Sequence, residues 1–217
     1  MAAWEELQNG ILRVARNRIR REGWRSVSAP DPVYGRVFRG FVEVLETYDA
    51  LLDIAVYLRR FGFRGTRVSK NRYLRYHIQG HLQELYILHE RLIAYARVLE
   101  RTYKGSRRAA AFKSASFRTQ QIVRKTLAGV VGTRGSHVHT RRFTDKQLED
   151  LTGVELVAEH SDDLQFRRML SWQYREVKAA LLKTVTENNQ EAQKLLDALA
   201  AEFLPILFTK AGRLYRP

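Results

Sequence analysis

Residues 72–103 read RYLRYHIQGHLQELYILHERLIAYARVLERTY, and the fold class turns on this stretch. Leu74, Ile78, Leu82, Leu85, Leu88, Leu92, Tyr95 with Ala96, Leu99 and Tyr103 recur every three to four residues. That spacing follows the 3.6-residue turn of an α-helix, so it predicts one helix of about eight turns with an unbroken apolar stripe. The same period continues on both sides. Residues 41–60 carry Phe41, Val44 with Leu45, Tyr48, Leu51 with Leu52, Ala55 and Leu58, and residues 109–131 carry Phe112, Ala115, Ile122 with Val123, Leu127 and Val130 with Val131. Gly129, Gly132 and Gly135 mark where that fourth helix should fray or bend.

The ends of the chain fit the same pattern. About residues 3–22, Trp4, Leu7, Ile11, Val14 with Ala15, and Ile19 share one face, with Arg13, Arg16 and Arg20 on another. Gly10 weakens this helix, and its modest apolar bulk suits packing on its own domain better than lying on a membrane. Residues 145–158 suggest a short helix, and the apolar phase from 162 to 207 is either one bent helix or two stacked ones divided at Asn188 and Asn189. The four prolines are Pro30, Pro32, Pro205 and Pro217, so residues 33–204 are free of proline, which permits long helices. No strand-like alternation of useful length occurs. The expected fold class is all-α, with a linker over 26–35 and three segments: 1–28, an N-terminal basic amphipathic helix; 29–160, a helical core; and 161–217, C-terminal helices packed on that core.

The chain has 217 residues, 45% of them hydrophobic, which suffices for a core, and no cysteine. Disulfides, thiolate zinc sites and iron–sulfur clusters are thereby excluded, and a reducing compartment, the cytoplasm, is expected. No run of about 18 apolar residues is present, so no membrane partner is expected, and Glu5 and Glu6 argue against a secretory signal. Residues 1–142 hold 28 Lys and Arg against 11 Asp and Glu, whereas residues 143–217 hold 10 against 12. All of the formal +15 therefore lies in the first two thirds, where Arg dominates. Arginine makes planar, bidentate contacts to phosphate, so the expected partner is a polyanion. The plain alternative is a solvated basic face.

Two stretches bear on chemistry. The first, Arg59 to Arg72, holds Arg59, Arg60, Arg64, Arg67 and Arg72 and reads as a basic loop for nucleic acid, in which Phe61 and Phe63 stack on bases or anchor the loop to the core. Just beyond it, His77, His81 and Glu84 fall at i, i+4 and i+7, a spacing that can gather three metal ligands. No matching second set stands out, so His81 reads instead as a hydrogen-bonded core-edge residue and no metal or other cofactor is expected.

The second stretch is Val130-Val-Gly-Thr-Arg-Gly-Ser-His-Val-His-Thr-Arg-Arg-Phe143, after the glycine-broken end of a helix. Histidine can take a proton from a ribose 2′-hydroxyl or give one to the leaving 5′-oxygen, and arginine can neutralise the charge that grows on the phosphate. The nucleophile belongs to the RNA, so neither a serine, a cysteine nor a metal is needed. Here the chain resembles the HEPN superfamily, small all-helical proteins with an Arg, four to six intervening residues and a His near the end of a long helix. The resemblance covers roughly residues 41–150. Arg72 with His77 and Arg75 with His81 fit the same spacing, and chain position selects Arg134 with His139. The family favours a polar residue directly after the Arg, where this chain has Gly135, which offers no side chain to orient the pair.

The resemblance implies an up-and-down helical bundle, here with an extra N-terminal helix and long C-terminal helices. It implies a metal-independent endoribonuclease of the toxin or phage-defence type, acting as a homodimer and open to a neutralising protein partner. Arg134 would stabilise phosphate charge and His139 would serve as general acid and base, with His137, Arg141 and Arg142 holding RNA beside them. Two other readings of the residues stay open: a nucleic-acid-binding protein or subunit without turnover, and a basic scaffold that docks an acidic protein. There is no phosphate-cradling P-loop, no dinucleotide fingerprint and no nucleophile elbow.

Overall fold

A computed structural model of the chain describes residues 2–22, 32–60, 68–132 and 146–217. Among the described residues the helices are α1 (Ala3–Glu22), α2 (Pro32–Arg60), α3 (Lys70–Thr102), α4 (Ala109–Thr126), α5 (128–132), α6 (Lys146–Glu159) and α7 (Leu164–Leu207). The one pairing outside helices is an antiparallel bridge between Phe208 and Leu214. The all-α expectation holds for these residues.

Three boundaries differ from the sequence reading, each for a physical reason. α2 begins at Pro32, not near Phe41, so the expected linker stops short. Proline is well suited to a first helical position, where its missing N–H has no partner to lose, and Tyr34 and Val37 then bury their side chains. The expected basic loop is also shorter, because Arg59 and Arg60 form the last turn of α2 and Arg72 already lies in α3. Finally, α7 passes through Asn188 and Asn189 as one helix of 44 residues. Asn189 is buried because its amide donates to the Leu51 carbonyl at 3.1 Å, a partner in α2.

The described residues form two compact units that interleave along the chain. The first takes 1–48, 87–128 and 191–217. Its core stacks Tyr103 on Phe112 at 4.1 Å and sets Trp4 beside Phe41 at 5.3 Å, with Leu92, Leu99, Leu199 and Phe203 fully or almost fully buried around them. Gly40 is needed here, since a Cβ would lie 2.5 Å from the Tyr95 ring. Gly10, which looked like a weakness in α1, is where the Phe208 ring lies against the helix backbone, 2.8 Å from where a Cβ would be.

The second unit takes 49–86 and 129–190. Leu58 of α2, Leu74 and Ile78 of α3, Leu148 and Leu151 of α6, and Leu170, Val177, Leu181 and Val185 of α7 form its core. The start of α3 is fixed twice over. The Ser69 hydroxyl accepts from the Arg72 N–H at 3.3 Å, and the buried Glu155 carboxylate of α6 accepts from the N–H groups of Lys70 at 2.6 Å and Asn71 at 3.2 Å. The Asn71 amide also donates to the Thr152 hydroxyl. A helix N-terminus leaves such donors without partners and carries partial positive charge, so a carboxylate there serves both needs.

Candidate nucleic-acid interface

Arg134, His139, His137, Arg141 and Arg142 lie outside the described residues, as do Arg64, Arg67, Phe61 and Phe63. Arg59, Arg60 and Arg72 lie inside them, all exposed, at the end of α2 and the first turn of α3. These two helix ends belong to one unit, and ring contacts bring them together: Tyr57 of α2 sits 6.2 Å from His77 of α3, centroid to centroid. The Tyr73 hydroxyl also donates to the Tyr57 carbonyl, at 3.5 Å.

Charge and aromatic character coincide here. From residue 54 to residue 83 the chain has no Asp or Glu, while it carries Arg59, Arg60, Arg64, Arg67, Lys70, Arg72 and Arg75. Within that run Tyr76 is 74% exposed and Tyr57 43% exposed. The His77 ring touches Tyr73 at 4.6 Å and Tyr76 at 5.5 Å, both edge-on, so three tyrosines surround one imidazole. Burial holds the His77 pKa below its ordinary 6.5, which keeps the ring neutral at neutral pH.

The arginines divide by occupation. Arg91 donates to the Glu43 carbonyl at 2.7 Å, Arg118 makes a fork to Glu202, and Arg108 donates to the Ile206 carbonyl at 2.6 Å while lying 4.2 Å over the Tyr215 ring. Those side chains hold the first unit together. Among the described residues no ion pair or side-chain hydrogen bond engages the guanidinium groups of Arg59, Arg60, Arg72 or Arg75, which leaves them available to a ligand. Composition alone counted all of these side chains alike; only some are without a partner among the described residues.

The structure also sorts the Arg–His pairs of equal spacing. His81 is fully buried, with its Nε2 3.5 Å from the Asn188 amide nitrogen, and burial pushes its pKa down to about 4. A ring without exposed surface cannot meet RNA, so Arg75 with His81 is excluded as a cleavage pair. Arg72 and His77 stand five residues apart on one helix, which turns their side chains to different faces. Among the described residues no group of three or more His, Asp or Glu side chains is gathered closely enough to hold a metal, His77, His81 and Glu84 included.

Tyr57, Tyr73 and Tyr76 escaped the sequence reading, which weighed His77 only as a metal ligand or as the partner of Arg72. Tyr73 and Tyr76 flank Leu74 off the apolar stripe, and the missing acidic residues from 54 to 83 were the available signal. No described helix is long and apolar enough to cross a membrane. Comparison of the chain with family models, with curated proteins and with solved structures returned no match.

Proposed function

We propose that this chain is an RNA-binding protein that works in the cytoplasm, and that it cleaves RNA without a metal through Arg134 and His139. The observation that carries the binding half is the end of α2 and the start of α3, in a run of sequence without Asp or Glu from 54 to 83, where Arg59, Arg60, Arg72 and Arg75 have no partner among the described side chains and so can pair with phosphate. The cleavage half rests on the chemistry of the motif and on its resemblance to HEPN nucleases of the toxin and phage-defence kind. His139 would take the proton of a 2′-hydroxyl as that oxygen attacks the adjacent phosphorus, and an imidazolium would return a proton to the departing 5′-oxygen. Arg134 would hold the charge on the phosphoryl oxygens. The products are a 2′,3′-cyclic phosphate and a 5′-hydroxyl. As in that family, two copies would face each other around the scissile bond, and a neutralising protein would act by covering it.

The test is cleavage of single-stranded RNA by purified protein in EDTA, with His139→Ala and Arg134→Ala beside it. Cyclic-phosphate ends from the wild type and none from His139→Ala are expected. Equal cleavage by that variant would overturn the assignment. A second reading, binding without turnover, is favoured by the position of the cationic surface on α2 and α3, away from Arg134 and His139 in the sequence. It predicts a steep salt dependence of binding with intact RNA recovered.

A further inference from the structure

We propose that Tyr76, backed by His77 and accompanied by Tyr57, is a stacking platform for the unpaired bases of single-stranded RNA. The proposal rests on the RNA-binding reading above and narrows it from phosphate to base. Tyr76 is 74% exposed, in a helix whose next-door stripe of Leu74 and Ile78 is buried to 3% or less. A lone exposed ring is ordinary on a protein surface. Here, however, a second exposed ring, Tyr57, stands on the facing helix, and the His77 ring contacts both.

The geometry of the Tyr76 contact leaves room for a ligand on that ring. His77 meets Tyr76 at an interplanar angle of 78° and Tyr73 at 73°. Such edge-to-face contacts brace a ring without covering both of its faces. Tyr73 is further tied to α2 by its hydroxyl, so the cluster is held by two helices and does not depend on a single side chain. Bracing matters because an ordered ring loses less freedom when a base stacks on it.

Charge selects the occupant. Arg72 lies one helical turn before Tyr76, on the same face, and Arg59 and Arg60 lie two and three residues after Tyr57. Aromatic rings set among arginines, with no acidic residue from 54 to 83, suit a ligand that offers flat π-faces and a negative backbone together. An acidic protein offers the charge without the regular planar groups. A duplex offers the charge but hides the base faces in its own stack. Unpaired RNA offers both.

The experiment measures binding of the full chain to a 12-nucleotide single-stranded RNA, a duplex RNA of the same length and heparin at fixed salt. His139→Ala serves as the background, to prevent turnover. On that background Tyr76→Ala should weaken single-strand binding about 10-fold and Tyr57→Ala with Tyr76→Ala further, with duplex and heparin binding changed less than about 2-fold. Tyr76→Trp should restore or exceed the single-strand affinity. Tyr76 is on the surface and alanine favours helix, so the variant keeps its fold, which circular dichroism checks. Equal weakening toward all three ligands, or none, overturns the platform while the RNA-binding reading stands. Failure of the parent protein to bind any RNA overturns both, and tighter binding to duplex overturns the choice of single strand.

Discussion

Glu155 of α6 accepts the backbone N–H of Lys70 at 2.6 Å, so a carboxylate 85 residues away along the chain fixes where α3 begins. The same carboxylate takes the Asn71 N–H, and the turn so fixed carries Arg72 and Tyr73, with Tyr76 in the next turn. Glu155→Ala should therefore lower stability by about 2 kcal/mol, the scale of losing a helix cap and its charge. It should also weaken RNA binding, although Glu155 is buried and acidic. Urea unfolding and RNA affinity measured on one preparation check this, and unchanged values in both would refute the assignment.

Acid should destabilise the second unit through His81. Its folded pKa is pushed down to about 4 from the ordinary 6.5, so the unfolded chain takes up a proton that the folded one refuses. Stability is then complete above pH 6.5 and falls as the pH drops toward 4, by at most about 3 kcal/mol. His81→Leu should flatten the fall between pH 6.5 and 4.5. Some slope remains, because His77 is shifted in the same direction. A slope as steep as that of the parent would show that other groups govern acid stability.

The division among arginines predicts two kinds of loss. Arg59→Ala, Arg60→Ala and Arg72→Ala should each reduce the slope of log affinity against log salt by about 0.7, the expected release per single-strand phosphate, with little change in stability. Arg91→Ala should leave the slope alone and lower the unfolding midpoint, because its guanidinium serves the Glu43 carbonyl and the Thr47 hydroxyl. Reversal of that pattern would mean the guanidinium groups have been sorted wrongly.

Two glycines should respond oppositely to alanine. At Gly40 the new methyl would enter the Tyr95 ring, itself fully buried, and a loss of about 1–3 kcal/mol is expected. At Gly153, inside α6, nothing lies within 4 Å of the added carbon, and a gain of about 0.5–1 kcal/mol is expected. Thermal unfolding of the two variants separates them.

These cases show what periodicity can and cannot reveal. The stripe from Leu74 to Tyr103 is buried along almost its whole length, with Leu82 half-buried, because local spacing alone dictates which face turns inward. Gly10 read as a weakness and Asn189 as a possible division between helices because their reasons are distant: the ring of Phe208 and the carbonyl of Leu51. At the candidate site the arginines of α2 and α3 were legible as charge. The tyrosine cluster was not, since Tyr57 meets His77 only once the two helices lie side by side. Arg134 and His139 keep the standing their motif gives them.

The interleaving of the two units bears on the order in which this chain can mature. The first unit draws on residues 1–48, 87–128 and 191–217, so Phe41 and Phe112 emerge from the ribosome long before Leu199 and Phe203 exist to cover them. No contiguous early piece can complete that core. Its closure waits until residues 191–217 have been made, and until then the apolar stripes of α2 and α3 depend on transient cover or on speed.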